Sequence, residues 1–88
     1  MLYFFYGEEC SHCHTMLPIV DKLIQEGIKI TKLETWHNEK NAKLLEGKDK
    51  GTCGGVPFFL NEESGQSICG EASEEEVRKW AAGQEVKK

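Results

Sequence analysis

No apolar run in this sequence approaches the ~20 residues that a helix needs to cross a bilayer. The stretch Leu2 to Tyr6 is too short for the core of a signal peptide and has no basic residues before it. A soluble cytoplasmic protein with no membrane partner is therefore expected. A cationic surplus is missing as well: 11 Lys and Arg against 15 Asp and Glu leave a net charge of −4. That balance argues against nucleic acid and anionic membrane surfaces as partners. Internal repeats, low-complexity segments and the paired ligand knuckles of structural zinc modules are absent too. At 88 residues, 39% of them hydrophobic, the chain has room for one compact domain with a small core, and too little for two. The domain is expected over residues 1–83, with a tail over 84–88, and as a monomer.

Cysteine is the exception to this list of shortages. Four cysteines in so short a chain fit either a disulfide-stapled secreted mini-domain or redox or metal chemistry in a reducing compartment. Spacing favours the second. Cys10 and Cys13 have two residues between them, whereas Cys53 and Cys69 stand far apart. A purely stapled domain would also not need the regular strand and helix patterns that follow.

Leu2-Tyr3-Phe4-Phe5-Tyr6 reads as a strand buried on both faces. From Ser11 to Glu26 the apolar residues Met16, Leu17, Val20, Leu23 and Ile24 recur at helical spacing, with Pro18 inside and Gly27 as a stop. Ile28 to Leu33 alternates like a second strand. Asn38 caps a second helix expected to run to about Glu46, with Gly47 ending it and a glycine-rich loop following over Lys48 to Gly55. Pro57 to Leu60 and Gln66 to Cys69 read as an antiparallel hairpin. Ser73 and Glu76 form a capping box for a last helix, Glu74 to Ala82, with Val77, Trp80 and Ala81 inward. The order β-α-β-α-β-β-α predicts an α/β domain. A helical crossover makes the first two strands parallel, which gives a four-stranded mixed sheet flanked by three helices.

The Cys10-Ser11-His12-Cys13 motif falls where the first strand gives way to the first helix. There the first sulfur sits beside unpaired backbone N–H groups and the positive end of the helix dipole, which favour the thiolate, the attacking species. Two intervening residues allow the sulfurs to close a disulfide. Cys10 is thus expected to be the exposed nucleophile and Cys13 the more buried resolving thiol. Protonated His12 would stabilise the Cys10 thiolate and make the disulfide more oxidising, whereas Glu8 and Glu9 would oppose it. Cofactors are not expected beyond the redox-active Cys10–Cys13 pair.

From end to end the chain resembles the thioredoxin superfamily. The motif follows a hydrophobic strand, Pro18 comes five residues after Cys13, Gly55-Val56-Pro57 resembles the family's Gly-Ile-Pro, and Cys69-Gly70 followed by Ser73 and a helix resembles its C-terminal end. The central Ser-His is closer to the Pro-His of periplasmic disulfide oxidases than to the Gly-Pro of thioredoxins. The resemblance implies a thiol–disulfide oxidoreductase that acts on protein disulfides and is recycled by a reductase. It implies a cis Pro57 beside the active site, Val56 holding substrate as an added strand, and Cys69 and Gly70 beside the same loop.

Departures from the family pattern carry their own expectations. Phe4 stands where thioredoxins bury an aspartate, so the proton acceptor for Cys13 must differ; Lys32 matches the strand lysine that would help. Glu9 replaces a tryptophan, and Trp36 would supply the missing aromatic surface or else join the core. Glutaredoxins share the short N-terminus, but Glu8, Glu9 and Glu71 should repel glutathione. Cys53 and Cys69 read first as small buried thiols, with a second redox pair as the alternative. The rival reading is a metal or iron–sulfur module using Cys10, Cys13, His12 and His14, with or without Cys53.

Overall fold

Five aromatic and apolar residues in succession are buried only if a sheet carries them through its middle with cover on both sides. The computed structural model, which describes residues 2–51 and 53–84, places them so. Its elements are β1 (Leu2–Tyr6), α1 (Ser11–Gln25), β2 (Ile30–Glu34), α2 (Glu39–Asp49), β3 (Phe58–Asn61), β4 (Ser67–Cys69) and α3 (Glu74–Ala81). The sheet order is β2-β1-β3-β4. β1 and β2 are parallel, with Phe4 opposite Lys32, while β1 and β3 are antiparallel, with Phe4 opposite Phe59. β3 and β4 complete the sheet as an antiparallel hairpin. This is the α/β order and mixed four-stranded sheet expected from the sequence, and among the described residues three helices flank it. Of the expected tail, residues 85–88 lie outside the described residues.

Side-chain alternation splits the sheet into two unlike faces. Phe4, Ile30, Phe59 and Ile68 point to one side, where Met16, Val20 and Leu23 of α1 and Val77 and Trp80 of α3 bury them. Phe59 meets Trp80 edge-on and Phe4 at a tilt. Tyr3, Phe5 and Phe58 point to the other side and stack on one another. Lys48 of α2 lies over the Tyr3 ring there. In α2 itself the only buried residue is Asp49, and Leu44 is exposed.

The helix ends follow local chemistry. Gly27 takes φ of 101°, and the Ile28 N–H reaches back to the Leu23 carbonyl, closing α1 with a Schellman-type cap. Because Ile28 is used in that cap, β2 begins at Ile30 rather than at Ile28. Asn38 caps α2 by accepting from the Asn41 N–H. The expected stop at Gly47 is wrong: α2 runs on to Asp49 and ends at Lys50, which is left-handed with φ of 53°. Lys50 donates its N–H to the Glu46 carbonyl, and the Asp49 side chain turns forward to bind the following loop. The Ser73–Glu76 capping box opens α3. Buried Asn61 ties the hairpin to α3 by donating to the Trp80 carbonyl. No helix among the described residues is long and apolar enough to cross a membrane.

Candidate active site

The tight turn after β1 aims the first helix. The Cys10 N–H donates to the Gly7 carbonyl at 3.0 Å, and Cys10 then serves as the N-cap of α1. Its sulfur accepts from the Cys13 N–H at 3.4 Å, so the thiol occupies the place of a capping hydroxyl. That sulfur also lies 4.0 Å from the Val56 carbonyl oxygen. Cys10 is therefore less open than its place in the sequence implies. It is 8% exposed, because the loop carrying Val56 covers it, although it remains more accessible than Cys13 at 0%. Both thiols are free.

Burial pushes the Cys13 thiol up to about 12. Its hydrogen bond with Cys10 acts in the same direction, against the N–H of Gly7, which donates to the Cys13 sulfur at 3.5 Å. Gly7 was expected only as a strand break. It supplies a donor to the buried sulfur and leaves room for an aromatic side chain, since a Cβ there would overlap the Trp36 indole. Trp36 is 53% exposed, on the surface and not in the core. It thus forms an apolar platform over Gly7, the same residue type that the resemblance places before the first cysteine but supplied from a different chain segment.

The polar groups expected around the motif are arranged differently. Lys32, expected to help Cys13, is paired with another group. Parallel pairing sets it opposite Phe4, and its ammonium binds Asp21 of α1 at 2.6 Å. His12 turns outward and donates to Glu71 at 2.8 Å. That ring nitrogen therefore faces a carboxylate and not Cys10. Glu9 binds His37 at 2.6 Å, and His14 bonds the Glu8 carbonyl. Two of the three carboxylates expected to repel glutathione therefore already face a histidine. Glu34, missed in the sequence, joins the turn after β1 to the loop after β2 by accepting from the N–H groups of Glu8, Trp36 and His37.

Cys53 and Cys69 are not free buried thiols. They form a disulfide with Cα atoms 5.5 Å apart, joining the loop ahead of β3 to the end of β4. Cys69 is exposed and stands opposite Phe58 in the β3–β4 ladder. Gly70 donates its N–H to the Pro57 carbonyl at 2.9 Å, so the Val56–Pro57 segment is held from both sides. The Val56–Pro57 peptide bond is cis. Asp49, also missed, organises the same loop. Its two carboxylate oxygens accept from the N–H groups of Cys53 and Gly54, each at 2.7 Å. A helix expected to end at Gly47 gave no reason to look there. The signal available in the sequence was an acidic residue followed by a glycine-rich loop.

The alternative metal set is not brought together. His12 and His14 are turned to Glu71 and Glu8, and Cys53 is bonded to Cys69. Among the described residues, the trio whose ligand atoms do converge within 4.8 Å is the exposed Glu8, Glu9 and His37. What the motif itself offers is a pair of thiols in different settings. One caps a helix beside the Val56 loop, and the other is sealed behind it, where burial favours its protonated form. No protein-family model and no curated protein matches the sequence.

Proposed function

We propose that this protein is a thiol–disulfide oxidoreductase with a thioredoxin-like fold, acting through Cys10 and Cys13 on protein disulfides. One observation carries the reading. The Cys10 sulfur sits at the N-cap of α1, facing the Val56 carbonyl, with the fully buried Cys13 directly behind it.

In the reducing direction, the Cys10 thiolate attacks one sulfur of a substrate disulfide. A Cys10–substrate bond forms, the substrate bond breaks, and the departing thiolate takes a proton. Cys13, protonated up to about 12, stays out of this first step. It gives up its proton as it attacks the Cys10 sulfur, which closes the Cys10–Cys13 bond and releases the second substrate thiol. Two electrons have then passed to the substrate, and an external dithiol must return them for a further turnover. An extended substrate segment pairs with the backbone at Val56. Trp36 provides apolar surface beside Gly7, and Gly70 steadies the opposite side of the loop. Of the acidic groups around the motif, Glu9 and Glu71 are paired with His37 and His12, which leaves Glu8 to disfavour the small anion glutathione relative to a polypeptide.

The test is the rate at which the protein reduces a model protein disulfide in the presence of dithiothreitol. The Cys10→Ser protein should fall to the uncatalysed background. Reduction by that variant at the wild-type rate would remove Cys10 from the mechanism.

A further inference from the structure

We infer that Cys53–Cys69 is a second redox-active site, a latch whose reduction by a dithiol loosens the Val56 loop and uncovers Cys10. The inference rests on reading Cys10 as the reactive thiol.

The loop ahead of β3 has little to bury. Cys53 and Val56 are half-exposed, Gly54 and Gly55 are exposed, and apolar burial resumes only at Pro57. Directional links hold this loop in place: the disulfide, the two N–H bonds to Asp49, and the Gly70 to Pro57 bond. The disulfide is the covalent member of that set. The loop in turn places the Val56 carbonyl 4.0 Å from the Cys10 sulfur, and Cys10 is 8% exposed. Cutting the disulfide therefore weakens the support of the element that covers the reactive thiol.

Two further features make a reversible latch of it. Cys69 is exposed, so an external dithiol can reach the bond. The two hydrogen bonds to Asp49 remain after reduction as a weaker, reversible tether on a loop that has lost its covalent one. Cys53 then stays close to Cys69 for re-closure. The main apolar core, packed on the opposite face of the sheet, contains neither cysteine and keeps the domain folded.

The chemistry balances with one co-reactant. A dithiol thiolate attacks the Cys69 sulfur and forms a mixed disulfide while Cys53 leaves as a thiolate. The second thiol of the reagent then attacks its own sulfur in that mixed disulfide and releases Cys69. The dithiol is oxidised to a cyclic or protein disulfide, and two electrons and two protons arrive on Cys53 and Cys69. The reverse reaction returns them.

The test uses the Cys13→Ala protein, in which Cys10 cannot pair with Cys13. Samples are poised in dithiothreitol of graded redox state, freed of reagent without oxygen, and pulsed with iodoacetamide. Mass spectrometry reads the labelling rate at Cys10 and the thiol state of Cys53 and Cys69, and circular dichroism reads the fold. Cys10 should be labelled at least threefold faster once Cys53 and Cys69 are thiols. In Cys13→Ala/Cys53→Ala/Cys69→Ala, the fast rate should appear at every poise. Because labelling requires no turnover, this result stands apart from whether Cys10 reduces protein disulfides. The latch is overturned by a Cys10 rate indifferent to the state of the pair. Loss of helical signal on reduction, or a bond from Cys10 to Cys53 or Cys69, overturns it equally.

Discussion

The two faces of the sheet both bury aromatic side chains, but only one of them adds a set of directional links. On the α1 and α3 side, side chains such as Phe4, Met16, Leu23, Phe59 and Trp80 are completely removed from water. Cohesion there is non-directional and scales with buried apolar area. On the α2 side the aromatics Tyr3, Phe5 and Phe58 are covered by a helix whose own buried residue is an aspartate. Phe5 and Phe58 are also buried there, but to that burial this face adds links with fixed geometry: a disulfide, a carboxylate bridging two N–H groups, and a lysine over an aromatic ring. The apolar face sets the position of α1 and so of both motif cysteines. The linked face sets the loop that lies over Cys10. Stability and access to the thiol are thus assigned to opposite sides of one small sheet.

Substitutions that remove one kind of force at a time should separate the two faces. The largest loss is expected from Trp80→Ala, which empties the middle of the α1 and α3 side. Truncation of a buried aromatic costs about 3–5 kcal/mol, a large part of what a domain of this size possesses. Urea denaturation should show it, and a loss below ~1 kcal/mol would contradict the placement of the core. Replacing Cys53 and Cys69 together by Ser should cost less, about 3 kcal/mol by the chain-entropy account for a loop of this length, and should leave a cooperative, folded domain. If the double variant unfolds outright, the linked face is carrying the stability and the comparison is inverted.

Asp49→Ala comes next. Hydrogen bonds to a charged group contribute about 1.5–3 kcal/mol apiece, but part of the loop's N–H demand passes to water when the carboxylate goes. A net loss of about 2 kcal/mol is expected. Hydrogen exchange at Cys53 and Gly54 should rise while the amides of α1 stay protected, and equal acceleration in α1 would show that the two faces are not separable.

The smallest effect belongs to the exposed pair of His37 and Glu9. The Glu9 carboxylate, first by its hydrogen bond and then by its charge, raises His37 above the usual imidazole range. A group raised in the folded state stabilises fully at pH below its unfolded value, and that contribution is lost as pH rises through the folded value. Glu9→Gln should bring the His37 midpoint down in an NMR titration and flatten the dependence of stability on pH in that window. An unchanged midpoint would mean that the pair does not persist in solution.

Much of the architecture was present in local patterns. The aromatic run of β1, the periodic apolar residues of α1, Asn38 as a cap and the Ser73–Glu76 box specify their elements through short-range physics that a sequence displays directly. What failed depended on contacts distant in sequence. The end of α2 is set by Lys50 and by an aspartate whose partners lie in the next loop, and the helix passes through Gly47. Lys32 was assigned to Cys13 by resemblance, but strand register and Asp21 on α1 take it elsewhere. The bond between Cys53 and Cys69 needed the β3–β4 hairpin to bring the loop and the strand end together. Gly7 lay beside the motif in plain view, yet its second purpose appears only when Trp36, from another segment, is folded over it.

The central assignment is that Cys10 attacks and Cys13 resolves. Its most direct test is the Cys13→Ser protein incubated with a protein disulfide under native conditions, then quenched with acid and mapped by mass spectrometry. With the resolving thiol gone, a stable mixed disulfide should accumulate, and its bond should map to Cys10. A mixed disulfide on Cys53 or Cys69 in its place, or none at all, would contradict the account.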